Sequence, residues 1–180
     1  MNRKSIYWLS GVVMALILFS CLQGWAQLKP GPVITQSFAV ENGYYGYIWK
    51  IYFEAEHPAG DMFKIASVVD QPGYGRYPTD WLYIKPEYRK HLKGYIQWNT
   101  FSSKAPFIRE WTHITLRVSI IDKDGKESNE VVFPFAFERG AKDPYKYTLP
   151  APFDQGDLPR LGYIHIDLFE PSNLGGKGTP

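Results

Sequence analysis

Along much of this chain apolar and polar residues alternate one by one. Tyr47, Trp49, Ile51 and Phe53 alternate with Lys50, Tyr52 and Glu54, the period of two that a strand with one buried face requires. Ile114, Leu116, Val118 and Ile120 alternate with His113, Thr115, Arg117 and Ser119 in the same way. Val131, Phe133, Phe135 and Phe137 form a third such face, and Ile164, Ile166 and Leu168 a fourth, within a strand predicted over 162–169. Weaker runs at 33–40, 63–69, 81–84 and 95–101 bring the prediction to about eight strands, separated by Gly, Pro, Asn and Asp. One short helix is predicted over 86–93, where Pro86 suits a first helical position and Gly94 an end. Lys85 before it is a poor N-cap.

The sharpest local signal is Asp122-Lys-Asp-Gly-Lys126 between two alternating runs. Gly125 supplies a positive φ without steric cost and Asp124 tolerates the left-handed region, so residues 112–137 are predicted to form one long hairpin. Pro134 on its second strand lacks an N–H, which is tolerated where that strand is an edge. The run Thr112-His-Ile-Thr-Leu-Arg-Val-Ser-Ile-Ile-Asp-Lys-Asp-Gly-Lys-Glu-Ser-Asn129 resembles the last hairpin of bacterial immunoglobulin-like and fibronectin-type-III-like domains. The likeness is one of fold group, carried by a hairpin pattern. It implies an all-β fold, a two-sheet antiparallel immunoglobulin-like sandwich of about seven to nine strands with one short helix. It also implies a scaffold for adhesion, assembly and binding, with no chemistry attached.

The organisation that follows has five parts. Residues 1–26 read as a signal peptide, 27–137 as the sandwich core and 138–161 as a Pro-rich connector. Residues 162–170 hold a C-terminal strand packing on the same sandwich, and 171–180 have the composition of a flexible tail. Met1 to Lys4 is a positive n-region and Ile6 to Leu22 an apolar run. Gly24 and Ala26 are the small residues of a cleavage site before Gln27. Two other readings compete. Leu18-Phe-Ser-Cys21 resembles the lipobox of bacterial lipoproteins, which would anchor the chain by a lipid at Cys21. An uncleaved anchor is the third, although the run is at the lower limit for a span. Each puts the domain outside the cytoplasm, periplasmic or extracellular.

Charge and cysteine content narrow the function. The formal net charge of +2 resides in Arg3 and Lys4, so the rest of the chain is balanced and carries no basic signature for nucleic acid or anionic membrane. Cys21 is the one cysteine, which leaves residues 27–180 without a disulfide or a thiolate metal site. Asp122, Asp124, Glu127 and Glu130 invite a calcium reading. The Gly125 spacing does not fit an EF-hand loop, however, and Lys123 and Lys126 intrude. His57, His91, His113 and His165 include no i, i+2 or i, i+4 pair. His113 and His165 would meet only if their strands were neighbours, with Asp167 on the same face as His165. There is no G-x-S-x-G frame and no phosphate loop of either common type. The reading is therefore non-enzymatic, with no cofactor and no metal.

Aromatic turns are what remains. Gln71-Pro-Gly-Tyr-Gly-Arg-Tyr-Pro-Thr-Asp-Trp81 carries Tyr74, Arg76, Tyr77 and Trp81, and Asn42-Gly-Tyr-Tyr-Gly-Tyr47 is a second tyrosine-rich turn. Tyr, Trp and Arg dominate interface hot spots because rigid rings cover area at little entropic cost. Equally, tyrosines lean back onto a sandwich to cover its open end. The first expectation is an exported binding or assembly module that meets a protein partner at the cell envelope through these four residues or a strand edge. The alternative is a carbohydrate-binding module of a cell-surface polysaccharide system, in which Tyr74, Tyr77 and Trp81 form one flat platform for a glycan. A hydrolase with two carboxylates across a cleft is the third.

Overall fold

The computed structural model describes residues 30–105, 112–138 and 147–170. The leader with Cys21, the 171–180 tail and residues 139–146 of the Pro-rich stretch lie outside the described residues. Ten strands form among the described residues: β1 (Val33–Phe38), β2 (Asn42–Gly43), β3 (Ile48–Glu56), β4 (Met62–Gln71), β5 (Gly75–Arg76), β6 (Asp80–Tyr83), β7 (His91–Asn99), β8 (His113–Asp122), β9 (Val131–Phe137) and β10 (Arg160–Ile164). They build two sheets, one in the order β1-β3-β7-β10 and the other β2-β9-β8-β4-β5, with β6 also paired to β4. The fold is all-β, a two-sheet sandwich.

The alternating apolar sets meet between the sheets. Trp49, Ile51 and Phe53 of β3 and Leu92, Ile96 and Trp98 of β7 face Ile65 and Val69 of β4. Ile114, Leu116, Val118 and Ile120 of β8 and Phe133, Phe135 and Phe137 of β9 complete the layer. Burying each such side chain contributes roughly 1.5–3 kcal/mol. Trp49 packs 4.5 Å from Phe135 and 6.1 Å from Trp98. Both indole N–H groups are satisfied by backbone, on Val40 and Ile166, as buried tryptophans require.

The ladders are antiparallel except at β2–β9 and β7–β10, which are parallel. Pro134 pairs with Thr115 where β2 has not yet begun to cover β9. Ala136 and Glu138 send their N–H groups outward to Glu41 and Gly43, so by parity the missing N–H of Pro134 faces that open edge.

Two stretches depart from expectation. The helix predicted over 86–93 is a single 3-10 turn, Pro86–Tyr88, without a side-chain cap. His91, Leu92 and Lys93 belong to β7, whose ladder with β3 runs unbroken to Glu56↔His91. Two turns of uncapped helix sit below the length at which helix sustains itself, so the ladder and the burial of Leu92 win. Tyr52, which alternation places on the solvent side, is 4% exposed. Tyr147 and Phe153 of the Pro-rich stretch lie across that outer face, with Phe153 buried 5.9 Å from the Tyr52 ring. Burial, then the Tyr147 hydroxyl 3.4 Å away, push the Tyr52 phenol well above its ordinary value.

The last strand ends its ladder at Ile164, yet Ile166 and Leu168 stay buried while His165 and Asp167 point out. Residues 165–169 therefore run on, extended, along the seam between the two sheets. Their backbone groups are met by side chains instead of a strand edge. His165 N–H donates to Asp80, the Trp98 indole to Ile166 O, Phe169 N–H to the Tyr77 hydroxyl, and the Gln71 amide to Phe169 O. At the same seam Gly162 lies directly against Leu82 of β6, where a β-carbon would overlap the leucine.

Candidate binding site

The β4–β5 turn positions the first residue of the site. Gly73 and Gly75 take φ of 83° and 117°, a region open to glycine and costly for other residues. Tyr74 N–H donates back to Gln71 O to close the turn. The turn lifts Tyr74 outward, 44% exposed, while Tyr77 drops beneath it, 4% exposed. Tyr74 stacks 4.4 Å from Tyr77 and 4.9 Å from Phe169, and those two rings are 6.2 Å apart. So closed a triangle places both partners under one face of Tyr74 and leaves its other face to solvent.

Beneath this platform runs a closed ring of hydrogen bonds. The Tyr77 hydroxyl donates to the Gln71 side-chain oxygen, the Gln71 amide donates to Phe169 O at 2.9 Å, and Phe169 N–H returns to the Tyr77 hydroxyl at 2.8 Å. Burial raises the Tyr77 phenol to about 12 against the opposing bond from Phe169, so it stays a neutral donor and acceptor at physiological pH.

Tyr74, Tyr77 and Phe169 form one wall of an open cleft of about 420 Å³ whose polar rim is Thr79, Asp80, Lys104, His165 and Asp167. Lys104 Nζ is 3.4 Å from Asp167 and 5.0 Å from the centre of the Phe169 ring. Asp80 accepts the His165 backbone N–H at 3.1 Å, with the imidazole Nδ1 at 4.0 Å. The cleft thus offers one exposed ring face, two acceptors, an ammonium and an imidazole. That set can accept from and donate to hydroxyls.

The four residues singled out in the sequence divide between two surfaces. Tyr74 and Tyr77 both line the cleft, Tyr74 exposed and Tyr77 4% exposed beneath it. Arg76 and Trp81 lie on the outer face of the six-stranded sheet. There Trp81, 44% exposed, sits under Lys64 Nζ at 3.8 Å. Arg76 and Arg117 converge on Asp70 at 2.8 and 2.9 Å, and Arg117 also reaches Glu130. Hydrogen bonds from Arg76 and then Arg117 hold the Asp70 carboxyl down at about 2. The flat platform of Tyr74, Tyr77 and Trp81 does not form, because successive residues of β6 face opposite ways and carry Trp81 away from the turn. His165 and Asp167 share a face, as alternation indicates. Nothing local in the sequence marks Lys104 or Phe169.

Other candidate groups are put to structural use. Asp122, 3% exposed, accepts the Lys126 N–H at 2.8 Å and the His57 imidazole at 3.2 Å. Ala59 N–H donates to His57 Nδ1, which leaves Nε2 as the protonated nitrogen facing Asp122. Burial pushes the Asp122 carboxyl up, but bonds from Lys126, His57 and Asp124 outweigh it and hold the group below its ordinary value. The Asp122 oxygens invoked for calcium are thus occupied in organising the hairpin tip. Among the described residues no three of His, Cys, Asp and Glu assemble a group able to hold a metal ion. His113 starts β8, whereas His165 follows the end of β10 on the seam segment, so the two do not stand on neighbouring strands. In the second tyrosine turn Tyr47 is buried, and the Tyr45 hydroxyl bonds the backbone of Ser102 and Ala105.

No family model matches the chain, and no curated protein matches it. Among solved structures it is similar to the PKD domain of an M14-like peptidase from Thermoplasmatales archaeon SCGC AB-540-F20, at 15% identity and a TM-score of 0.40. The similarity covers 62% of this chain and 99% of that one.

Proposed function

We propose that this chain is an exported, non-enzymatic binding module that takes a carbohydrate in the cleft between the β4–β5 turn and the C-terminal segment. Export rests on the leader pattern. The observation that carries the ligand class is Tyr74: one ring face open at the cleft, the other backed by Tyr77 and Phe169 so that the ring is held still. An aromatic plane fixed in advance loses little freedom when a sugar ring stacks on it. The rim of Asp80, Lys104, His165 and Asp167 supplies partners for hydroxyls around such a ring. Its volume falls in the range of small-molecule sites.

Two carboxylates at one cleft also raise the hydrolase reading. Asp80 accepts the His165 backbone N–H and Asp167 pairs with the Lys104 ammonium, so each carboxylate already has a partner within the domain, and the exposed ring of Tyr74 at the same cleft makes binding the better account. Glycan-array binding followed by calorimetry tests it. Tyr74→Ala should weaken binding by about 30-fold, the loss of a hot-spot contact of about 2 kcal/mol, with the thermal midpoint lowered by only about 2–4 °C. Unaltered affinity would remove the cleft from consideration.

A second reading rests on the other surface. Trp81 and Tyr83, 44% and 66% exposed on β6, stand on the sheet face that carries Arg76 and Arg117, the residue types of protein-interface hot spots. Trp81→Ala with Tyr83→Ala should abolish capture of a purified envelope protein partner while leaving glycan binding intact.

A further inference from the structure

The C-terminal segment does more than wall the cleft. From Tyr163 onward its outward residues are Tyr163, His165 and Asp167, spaced two apart, while Ile164, Ile166 and Leu168 between them are buried. Tyr163 is 43% exposed and has the Arg160 guanidinium 4.5 Å from its ring centre. Its ring lies 6.4 Å from the His165 imidazole, which itself lines the cleft. An extended chain advances about 3.3 Å per residue, so Tyr163 stands roughly 20 Å along one row from Phe169. Phe169 is the ring on which Tyr74 lies flat, at 3° between planes. The row therefore has an exposed aromatic platform at each end and hydrogen-bonding side chains between them.

We propose that this row is a track for a linear oligosaccharide, with Tyr74 and Tyr163 as its two stacking subsites and His165 and Asp167 bonding the hydroxyls between. The proposal rests on the carbohydrate reading of the cleft and extends it to chain length and to a second subsite. A single sugar covers one platform and leaves the other bare. A linear chain long enough to reach both makes its second contact intramolecularly, at high effective concentration, so affinity rises with length. The straightness of the track follows from the seam. Residues 165–169 are pinned by Gln71 of β4, Asp80 of β6 and Trp98 of β7, which belong to both sheets, and by Tyr77 between β5 and β6.

Calorimetry on the full domain, with linear β-1,4-linked glucose, N-acetylglucosamine and mannose series from single sugars to hexamers, tests this. Affinity should climb by about tenfold or more between the dimer and the hexamer. Tyr163→Ala should flatten that climb and leave dimer affinity unchanged, Tyr163→Phe should restore it, and Tyr74→Ala should weaken every length. Affinity that is level beyond the disaccharide, or a Tyr163→Ala protein that matches the wild type at all lengths, overturns the track and leaves the cleft reading standing. Absence of binding to every series overturns the cleft reading and the track with it.

Discussion

Tyr77→Phe removes one oxygen from the closed hydrogen-bond ring and keeps the aromatic body that Tyr74 stacks on. Two partners lose their bonds. The Gln71 side-chain oxygen belongs to a residue 2% exposed, where an unmet acceptor costs about 1–3 kcal/mol. The Phe169 N–H is half-buried, and water can reach it, so its loss falls at the low end of that range. Together they amount to about 3 kcal/mol. With a urea dependence of roughly 1–3 kcal/mol per molar for a domain of this size, the midpoint should fall by about 1–3 M with the slope unchanged. Equilibrium urea unfolding at neutral pH, followed by tryptophan fluorescence, reads this shift. Amide exchange at Phe169 should accelerate further, because the lost bonds hold that segment in particular. Tyr74→Ala, which removes a ring already open on one face, should cost about 1 kcal/mol. A Tyr77→Phe protein within about 0.5 kcal/mol of wild type would refute the hydrogen-bond ring as a structural clamp.

Three further outcomes follow from the same geometry. Asp122→Asn puts an amide donor against His57 Nε2–H or Lys126 N–H, so it should cost about 1–3 kcal/mol in thermal unfolding. Because the folded Asp122 carboxyl lies below its ordinary value of 3.8, its contribution is present above that value and lost as pH falls through it and below. The acid limb of stability should therefore flatten in the Asn variant. At the alkaline end the raised Tyr77 phenol works with the opposite sign: stability should decline as pH rises from 10 to about 12. Tyr77→Phe should lose part of that decline, seen in thermal midpoints against pH. Gly162→Ala drives a methyl into Leu82 and should cost about 1–3 kcal/mol, with Leu82→Ala in the same chain recovering part of the loss; additive losses would contradict the close approach.

The period of two is a local property, and so the strands were legible from the chain alone. β3, β8 and β9 follow from residues that neighbour one another in sequence, as does the hairpin tip at Gly125, where a positive φ of 84° asks for glycine. An all-β sandwich follows from their number. What alternation cannot tell is what later covers a face that it marks as polar. Tyr52 reads as a solvent residue until Tyr147 and Phe153, some 95 residues on in the case of Tyr147, are laid across it. For the same reason the aromatic run 71–81 could be found but not divided. Only the fold turns Tyr77 inward, Trp81 to the far sheet face and Tyr74 to the cleft, because each orientation depends on strand register and not on composition. The cleft's remaining parts come from opposite ends of the domain. Phe169 reaches Tyr77 across 92 residues and Gln71 across 98, and no local pattern encodes a bond of that span. It exists because residues 165–169, with no strand edge left to join along the seam, had to satisfy their backbone on buried side chains.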